Sequence, residues 1–416
     1  MDINTLTLVT LNDAVQMIAA GGHKKCYKLL SSPGVGKTTA ILQLAETLKW
    51  SGGVGYQAIY IYVPEKRDTS DIACWIPDMT VNPPVLRLVM NPAYAFDPAK
   101  PVLFILDELD KGNNIIQTLL TPTMTNPKRL GDILFHPESI TVALSNYSSD
   151  GVGDKQQDHA VNRQTTVFIR NHTGKEWVHG YALSHNCHPA VMGWALRNEQ
   201  LWEMALLNPS TTNPYIPNPK RAKGINRAFV SARSLMQASE TVWEFTAGLL
   251  TDHQMMAALR GDIGDAGALD LASFVNVHTE VPVIEHVCIN PLKCVIPQHP
   301  SAQIMTVLSA VTYLGKVVRK EVIVGGHNGD NNGNNNGNNN GNNNGNNNGN
   351  NNGNNNGPVP VATCISNWLT YLDLIPSVEC QRLFNDTAKE ESKRLFDMLT
   401  SSPAYSKWAN KHEHIL

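Results

Sequence analysis

The chain lacks the sequence features that mark several common classes of protein. Its seven cysteines form no C-x-x-C pair, so the usual signature of a zinc site or a disulfide framework is missing. A net charge of −3 gives no general attraction to nucleic acid or acidic membranes, although a local basic groove is compatible with it. We see no signal-like N-terminal segment and no uninterrupted apolar stretch of membrane-spanning length. We therefore expect a cytoplasmic protein without a membrane partner.

Apolar runs through the first 170 residues predict an α/β fold. Five short runs are predominantly apolar and are separated by segments long enough for crossover helices. Such runs are typical of parallel strands that are buried on both faces. We predict an αβα core over residues 1–170, whose five-stranded parallel sheet comprises residues 26–30, 58–63, 102–106, 140–144 and 165–169.

The remainder of the chain has a different character. Residues 171–326 show helical patterns and several tryptophans, and we predict an α-helical lid and extension there. From Gly333 to Gly357 a glycine recurs at every fourth position with asparagine triplets between. Because these residues have no apolar area to bury, we predict that 327–357 form a disordered linker. Residues 358–416 return to apolar periodicity and predict a small helical C-terminal tail, flexibly linked.

A glycine-rich segment begins directly after the first predicted strand. Residues 31–39 read Ser-Ser-Pro-Gly-Val-Gly-Lys-Thr-Thr, and apolar residues at helical spacing follow. A strand, a glycine-rich turn and Lys-Thr at a helix start form the phosphate-binding P-loop, although Ser31 stands where the pattern begins with glycine. Backbone N–H groups and the helix N-terminus favour phosphate there. We predict that ATP is bound by Ser32, Pro33, Gly34, Val35, Gly36, Lys37, Thr38 and Thr39.

Two adjacent carboxylates follow the predicted strand 102–106. Because ligands of open parallel sheets bind at the carboxyl ends of strands, Asp107 and Glu108 are expected near the P-loop. We predict that Asp107 and the Thr38 hydroxyl hold Mg²⁺, and that Glu108 polarises the attacking water. Asp110 and Lys111 are expected on the protein surface.

Two further residues have both a functional and an ordinary explanation. Asn146 lies just after the predicted strand 140–144, where it either orients the attacking water or is simply a residue of the following turn. Arg163 precedes the strand 165–169. It either reaches the γ-phosphate of a neighbouring subunit or is an ordinary surface arginine.

In this order the segments Ser-x-Pro-Gly-Val-Gly-Lys-Thr, Leu-Asp-Glu, Ser-Asn and Asn-Arg-x-x-x-Val resemble the AAA+ ATPases, and within them the MoxR-like branch. Residues 68–77 resemble an Asp-Asp-Leu-x-Gly-x-Pro segment of that branch, with Trp75 at the glycine position. Residues 146–154 resemble its post-sensor loop, and 176–189 the start of its lid. The resemblance implies that Asn146 is sensor 1 and Arg163 a trans arginine finger. It also implies that Arg233 is sensor 2, for which Arg221 and Arg227 compete.

The resemblance also implies a mechanism for the whole protein. ATP would be hydrolysed between subunits of a homo-oligomeric ring, most simply a hexamer, and the motion would remodel a protein client. A von Willebrand factor A-type protein is a further expected partner. A hairpin at residues 128–132 could line a pore. The alternatives are a DNA- or RNA-directed motor or helicase loader, a P-loop kinase, and a nucleotide switch that does not hydrolyse ATP.

Overall fold

The computed structural model describes residues 6–147, 161–208, 211–217, 228–324 and 358–414. The chain divides into two compact units. The first unit consists of Met1–Trp177 and Asn198–Leu269, and the second of Val178–Arg197 and Asp270–Leu416. This division differs from the predicted boundaries, because 198–269 group with the core rather than with a separate lid.

The described strands and α-helices follow one another along the chain with short 3₁₀ turns between them. The strands are β1 (Leu8–Val9), β2 (Cys26–Ser31), β3 (Lys49–Trp50), β4 (Gly53–Val54), β5 (Gln57–Tyr62), β6 (Ala73–Asp78), β7 (Val85–Met90), β8 (Val102–Asp107), β9 (Arg129–Leu130), β10 (Ile133–Leu134), β11 (Ile140–Asn146) and β12 (Gln164–Ile169). The helices are α1 (Leu11–Gly21), α2 (Lys37–Thr47), α3 (Asn114–Leu120), α4 (Gly174–Trp177), α5 (Pro189–Arg197), α6 (Ala232–Thr246), α7 (Asp252–Val275), α8 (Ile284–Ile289), α9 (Pro300–Val318), α10 (Val361–Leu372), α11 (Val378–Glu391), α12 (Lys393–Thr400) and α13 (Pro403–Lys411).

The central sheet of the first unit is parallel and has the strand order β1-β12-β2-β11-β8-β5. All five predicted strands are present, which confirms the α/β class with a parallel sheet. The predicted number of strands was wrong, because the sheet has six. The additional strand is β1, which pairs with the end of β12. Two residues are too few to give a periodic signal, so the sequence did not reveal it.

Apolar side chains bury the sheet on both faces. On one face Leu29 and Ile105 belong to a core that includes Ile18 of α1 and Ile41 of α2. On the other face Phe104 contributes to a second core, whose further buried members include Ile61, Ile116 and Leu120. Each fully buried side chain of this size contributes roughly 1.5–3 kcal/mol of hydrophobic stabilisation. The strands are therefore fixed, and their polar carboxyl ends are held at one edge.

Among the described residues, three antiparallel hairpins extend the first unit beyond the sheet, and one of them pairs β3 with β4. Strands β9 and β10 form the hairpin predicted at 128–132, with Gly131 at a φ of 56° in its turn. Strands β6 and β7 form a longer hairpin within the segment that contains Trp75. Its side chains are unusually apolar for a surface: Trp75 is 57% exposed, Met79 73% and Leu86 65%.

The second unit is helical, and its described C-terminal helices share a core with the helices before residue 324. Trp368 of α10 and Phe384 of α11 are fully buried in one cluster with Leu314 of α9 and Val287 of α8. Residues 358–414 are therefore part of a larger folded unit rather than a separate tail, as their apolar faces are covered by α8 and α9. The predicted linker 327–357 lies outside the described residues.

Helix α5 begins with a buried histidine. His188 precedes Pro189, and its Nδ1 accepts a hydrogen bond from the Ala190 N–H at 3.1 Å. The pKa of His188 is lowered to about 3, chiefly by burial and to a smaller extent by the charge of His278. The acceptor role requires an unprotonated Nδ1, so the hydrogen bond and the lowered pKa agree.

Among the described residues, one helix is long and apolar enough to cross a membrane, contrary to the expectation that no apolar stretch reaches this length. This is α9, in which 72% of an 18-residue window is buried inside the protein. Such burial is what a core helix shows, and α9 contributes Val307, Val311 and Leu314 to the core of the second unit.

Candidate active site

The P-loop has the backbone conformation that its two glycines predict. Strand β2 ends at Ser31 and α2 begins at Lys37. Between them Gly34 and Gly36 have φ values of 80° and 97°, which L-residues with a side chain rarely adopt. The chain therefore curls tightly between the strand and the helix, as a phosphate-binding loop requires.

Lys37 is buried and its ammonium group is already held within the site. Its Nζ donates to the Ser31 hydroxyl at 2.7 Å and to the Asn146 Oδ1 at 3.0 Å. The Ser31 hydroxyl in turn donates to the Ser32 carbonyl at 2.7 Å. The sequence showed Ser31 only as a replacement for glycine. In the structure it is a polar contact that fixes the Lys37 side chain.

Asp107 ends β8 and lies beside the first turn of α2. The Thr38 hydroxyl donates to the Asp107 Oδ2 at 3.0 Å, and the Tyr60 hydroxyl donates to the same oxygen at 2.9 Å. Burial raises the pKa of Tyr60, and the hydrogen bond to Asp107 raises it further, so the phenol remains a donor. Hydroxyl and carboxylate oxygens are suitable Mg²⁺ ligands, and Thr38 and Asp107 are close enough to serve together.

Glu108 follows Asp107 in an unusual backbone conformation. Its φ of 53° is left-handed, and its N–H donates to the Leu144 carbonyl at 2.8 Å. The Glu108 Oε2 lies 2.8 Å from the Lys111 Nζ and accepts from the Tyr62 hydroxyl at 3.2 Å. A non-glycine residue in this conformation costs roughly 1–2 kcal/mol, and such strain is often found at functional sites.

Asn146 connects the two halves of the site. Its Oδ1 accepts from Lys37, and its Nδ2 lies 3.4 Å from the Glu108 Oε1. This bridging position follows from the strand order, because β11 lies between β2 and β8. The structure thus brings together Lys37, Thr38, Asp107, Glu108 and Asn146 at one sheet edge.

The expectation that Asp110 lies on the surface was wrong. Asp110 is buried, and its Oδ1 accepts from the Ser145 hydroxyl at 2.5 Å and lies 3.1 Å from the Lys28 Nζ. Lys111 is partly buried and pairs with Glu108, so it too belongs to the site rather than to the open surface.

The two arginines predicted by resemblance lie in different places. Arg233 is the second residue of α6, and its Cβ lies 3.6 Å from the position that a Cβ on Gly34 would occupy. Arg163 is exposed and directly precedes β12, whose first residue pairs with Cys26 at the start of β2. Arg163 is therefore at the sheet edge opposite its own P-loop. The competitors Arg221 and Arg227 lie outside the described residues.

A narrow cleft borders the P-loop where it faces the start of α6. The His172 Nε2 lies 2.9 Å from the Val35 carbonyl, which fixes one wall. The cleft is mostly apolar. Its lining includes Pro33, Val35, His172, Trp202, Phe229 and Val230.

Comparisons with known proteins add little to this geometry. No family model and no curated protein matches the chain. A solved structure from Cytophaga hutchinsonii, named "putative ATPase", is similar at 15% identity with a TM-score of 0.27. The match covers 39% of this chain and 47% of the solved structure. This chain therefore spans less than half the length of that protein. A likeness at this level carries no argument about function.

Proposed function

We propose that this protein is a Mg²⁺-dependent ATPase of the AAA+ type. The observation that carries the proposal is the convergence of Lys37, Thr38, Asp107, Glu108 and Asn146 around a glycine-rich loop between a strand and a helix. A lysine, a hydroxyl–carboxylate pair and a second carboxylate are the groups that ATP hydrolysis needs for phosphate, metal and water.

Each group has a distinct role in this proposal. Lys37 would leave Ser31 and Asn146 to bind the β- and γ-phosphates, while loop N–H groups bind the remaining oxygens. Thr38 and Asp107 would hold Mg²⁺, which would neutralise phosphate charge. Glu108 would accept a proton from the attacking water, and Asn146 would orient that water or bind the γ-phosphate.

We further propose that Arg163 completes the site of a neighbouring subunit. The five residue-to-residue steps from Cys26 to Ser31 span about 16 Å, at roughly 3.3 Å per step. Arg163 lies beside the far end of this span and so is remote from its own P-loop. An arginine that stabilises transition-state charge in trans makes hydrolysis depend on assembly. A closed ring, most simply a hexamer, would provide one such neighbour for every subunit.

Arg233 is proposed as the second sensor. Because the first turn of α6 abuts Gly34, a side chain there can approach a bound nucleotide from the same subunit. The position of α6 would then depend on whether a γ-phosphate is present.

The proposed client is a protein, remodelled by the ring in the cytoplasm, with a von Willebrand factor A-type protein as a further partner. The exposed apolar side chains of the β6–β7 hairpin support a protein client, since Trp75, Met79 and Leu86 are exposed along it. A DNA- or RNA-directed motor would need clustered lysines and arginines on such an element. This hairpin has one arginine, Arg87, which pairs with Asp78.

Subunit mixing tests the shared site. Arg163→Ala leaves Glu108 intact, and Glu108→Gln leaves Arg163 intact, so we expect each variant alone to lose at least tenfold in ATPase rate. Mixed and reassembled subunits should regain activity, because some interfaces combine both intact groups. Arg260→Ala, which removes another exposed arginine of the first unit, should retain wild-type activity. An Arg163→Ala variant with full activity, or a chain that remains a monomer in native mass spectrometry with ATP, would refute the shared site.

A further inference from the structure

A buried cluster of polar side chains, formed by Lys28, Asp110 and Ser145, adjoins the segment that carries the proposed catalytic base Glu108. Asp110 and Lys28 are each 8% exposed and Ser145 is 3% exposed. Burying an ion pair carries a large desolvation penalty for each ion, and only excellent geometry with further hydrogen bonds offsets it. Hydrophobic residues would fill this place at lower cost, so stability alone does not explain the group.

The three residues connect the segments that build the active site. Lys28 is on β2, three residues before Ser31, and Ser145 is on β11, next to Asn146. Asp110 is in the 3₁₀ turn Leu109–Lys111 that directly follows Glu108.

The turn is attached to β11 on both sides of the Glu108 side chain. Before it, the Glu108 N–H donates to the Leu144 carbonyl at 2.8 Å. After it, the Asp110 Oδ1 accepts from the Ser145 hydroxyl at 2.5 Å and lies 3.1 Å from the Lys28 Nζ. These attachments maintain the left-handed backbone of Glu108, which persists only where its surroundings over-determine it.

We infer that Asp110 is a positioning residue for Glu108, and that Ser145 and Lys28 hold Asp110 in place. The inference rests on the proposed ATPase function. Asp110 does not contact the nucleotide: it acts by fixing the backbone from which the base projects. Because Lys28 belongs to the P-loop strand, the same contacts fix the base relative to the bound phosphates.

The first experiment compares two serines near the ends of one strand. Ser145→Ala removes the hydrogen bond to Asp110 and leaves the ion pair with Lys28. The matched control is Ser139→Ala, because Ser139 is also buried and its hydroxyl accepts the Val102 N–H at 3.0 Å at the far edge of the sheet. Both variants lose one buried hydrogen bond, so we expect similar shifts in Tm.

The kinetic results should differ between these variants. We expect Ser145→Ala to lower kcat about tenfold, equivalent to about 1.4 kcal/mol, with the KM for ATP within about twofold of wild type. Ser139→Ala should keep kcat within about twofold. Equal kcat values for the two variants, or a loss in Ser145→Ala that is confined to KM, would overturn the positioning role. A wild-type chain that hydrolyses no ATP would instead contradict the proposed function.

A second variant tests whether the residues act as one unit. Asp110→Asn removes the ion pair and keeps an oxygen that accepts from Ser145. We expect Asp110→Asn to lower kcat as well. The double variant with Ser145→Ala should lose no more kcat than the more impaired of the two single variants. Losses that multiply in the double variant would show independent effects and overturn the inference.

Discussion

The P-loop glycines give a sharp test of how the loop contacts α6. A Cβ on Gly34 would lie 2.6 Å from the Ser231 Oγ and 2.8 Å from the Ser231 Cβ. A Cβ on Gly36 would meet nothing closer than Leu11 at 4.0 Å. Both glycines have positive φ, so an alanine at either position is strained, but only the one at Gly34 also clashes.

The two contributions can be separated in magnitude. The strain of an alanine in the left-handed region costs roughly 1–2 kcal/mol, which is the loss expected for Gly36→Ala. Gly34→Ala adds the cost of overpacking, roughly 1–3 kcal/mol, and should lose about 2–5 kcal/mol in all. Ser231 is the N-cap of α6, and glycine at an N-cap costs only a few tenths of a kcal/mol. Ser231→Gly in the Gly34→Ala background removes the clashing side chain. It should therefore recover most of the stability that is lost to overpacking.

Urea unfolding followed by circular dichroism would measure these differences for the wild type, the two glycine variants and the double variant. We expect the double variant to approach the stability of Gly36→Ala. Equal destabilisation by the two glycine substitutions, or no recovery on Ser231→Gly, would refute the packing of α6 against the P-loop.

Three further predictions concern other parts of the molecule. Tyr60→Phe removes a hydrogen bond to the proposed Mg²⁺ carboxylate. It should raise the Mg²⁺ concentration for half-maximal ATPase about tenfold, whereas Tyr62→Phe should leave that concentration unchanged. The pKa of His188 is about 3 when folded and about 6.5 when unfolded, so the unfolded chain binds more protons between these values and stability falls as pH drops. His188→Asn keeps an acceptor that cannot titrate, and should reduce the loss of unfolding free energy between pH 7 and 5 by about 2 kcal/mol; an unchanged loss would contradict this. Phe384→Ala should destabilise the second unit by about 3–5 kcal/mol in urea unfolding, while the exposed Leu292→Ala should change it by less than about 0.5 kcal/mol; similar effects would contradict the shared core.

The sequence was sufficient for five of the six strands of the sheet and for the polar residues that follow two of them. Continuous apolar runs that end in polar residues identified the strands, and parallel strands place their carboxyl ends together. Asp107 and Glu108 were therefore expected near the P-loop, and Asp107 accepts a hydrogen bond from Thr38 there. Asn146, for which the role of an ordinary turn residue was left open, contacts Lys37.

Residues whose role depends on strand order were missed. Tyr60 and Tyr62 are two residues apart on β5, but the sequence does not reveal that β5 pairs with β8. Asp110 has the charge of a surface residue, and its partners Lys28 and Ser145 are distant along the chain. Only the packed sheet shows that these three meet.

The division into units also depended on packing that a sequence pattern does not specify. Apolar periodicity showed that α10 and α11 each bury one face. It did not show that α8 and α9 cover those faces, so residues 358–416 were predicted as a separate tail.

The central claim is that Glu108 acts on a nucleotide held by the P-loop. The most direct measurement compares ATP binding and single-turnover hydrolysis with Mg²⁺ in the wild type and in Glu108→Gln. We expect the two to bind ATP with similar Kd and the variant to hydrolyse it at least about 100-fold more slowly, as loss of a general base predicts. A folded wild type that does not bind ATP, or a variant that hydrolyses ATP at the wild-type rate, would contradict the claim.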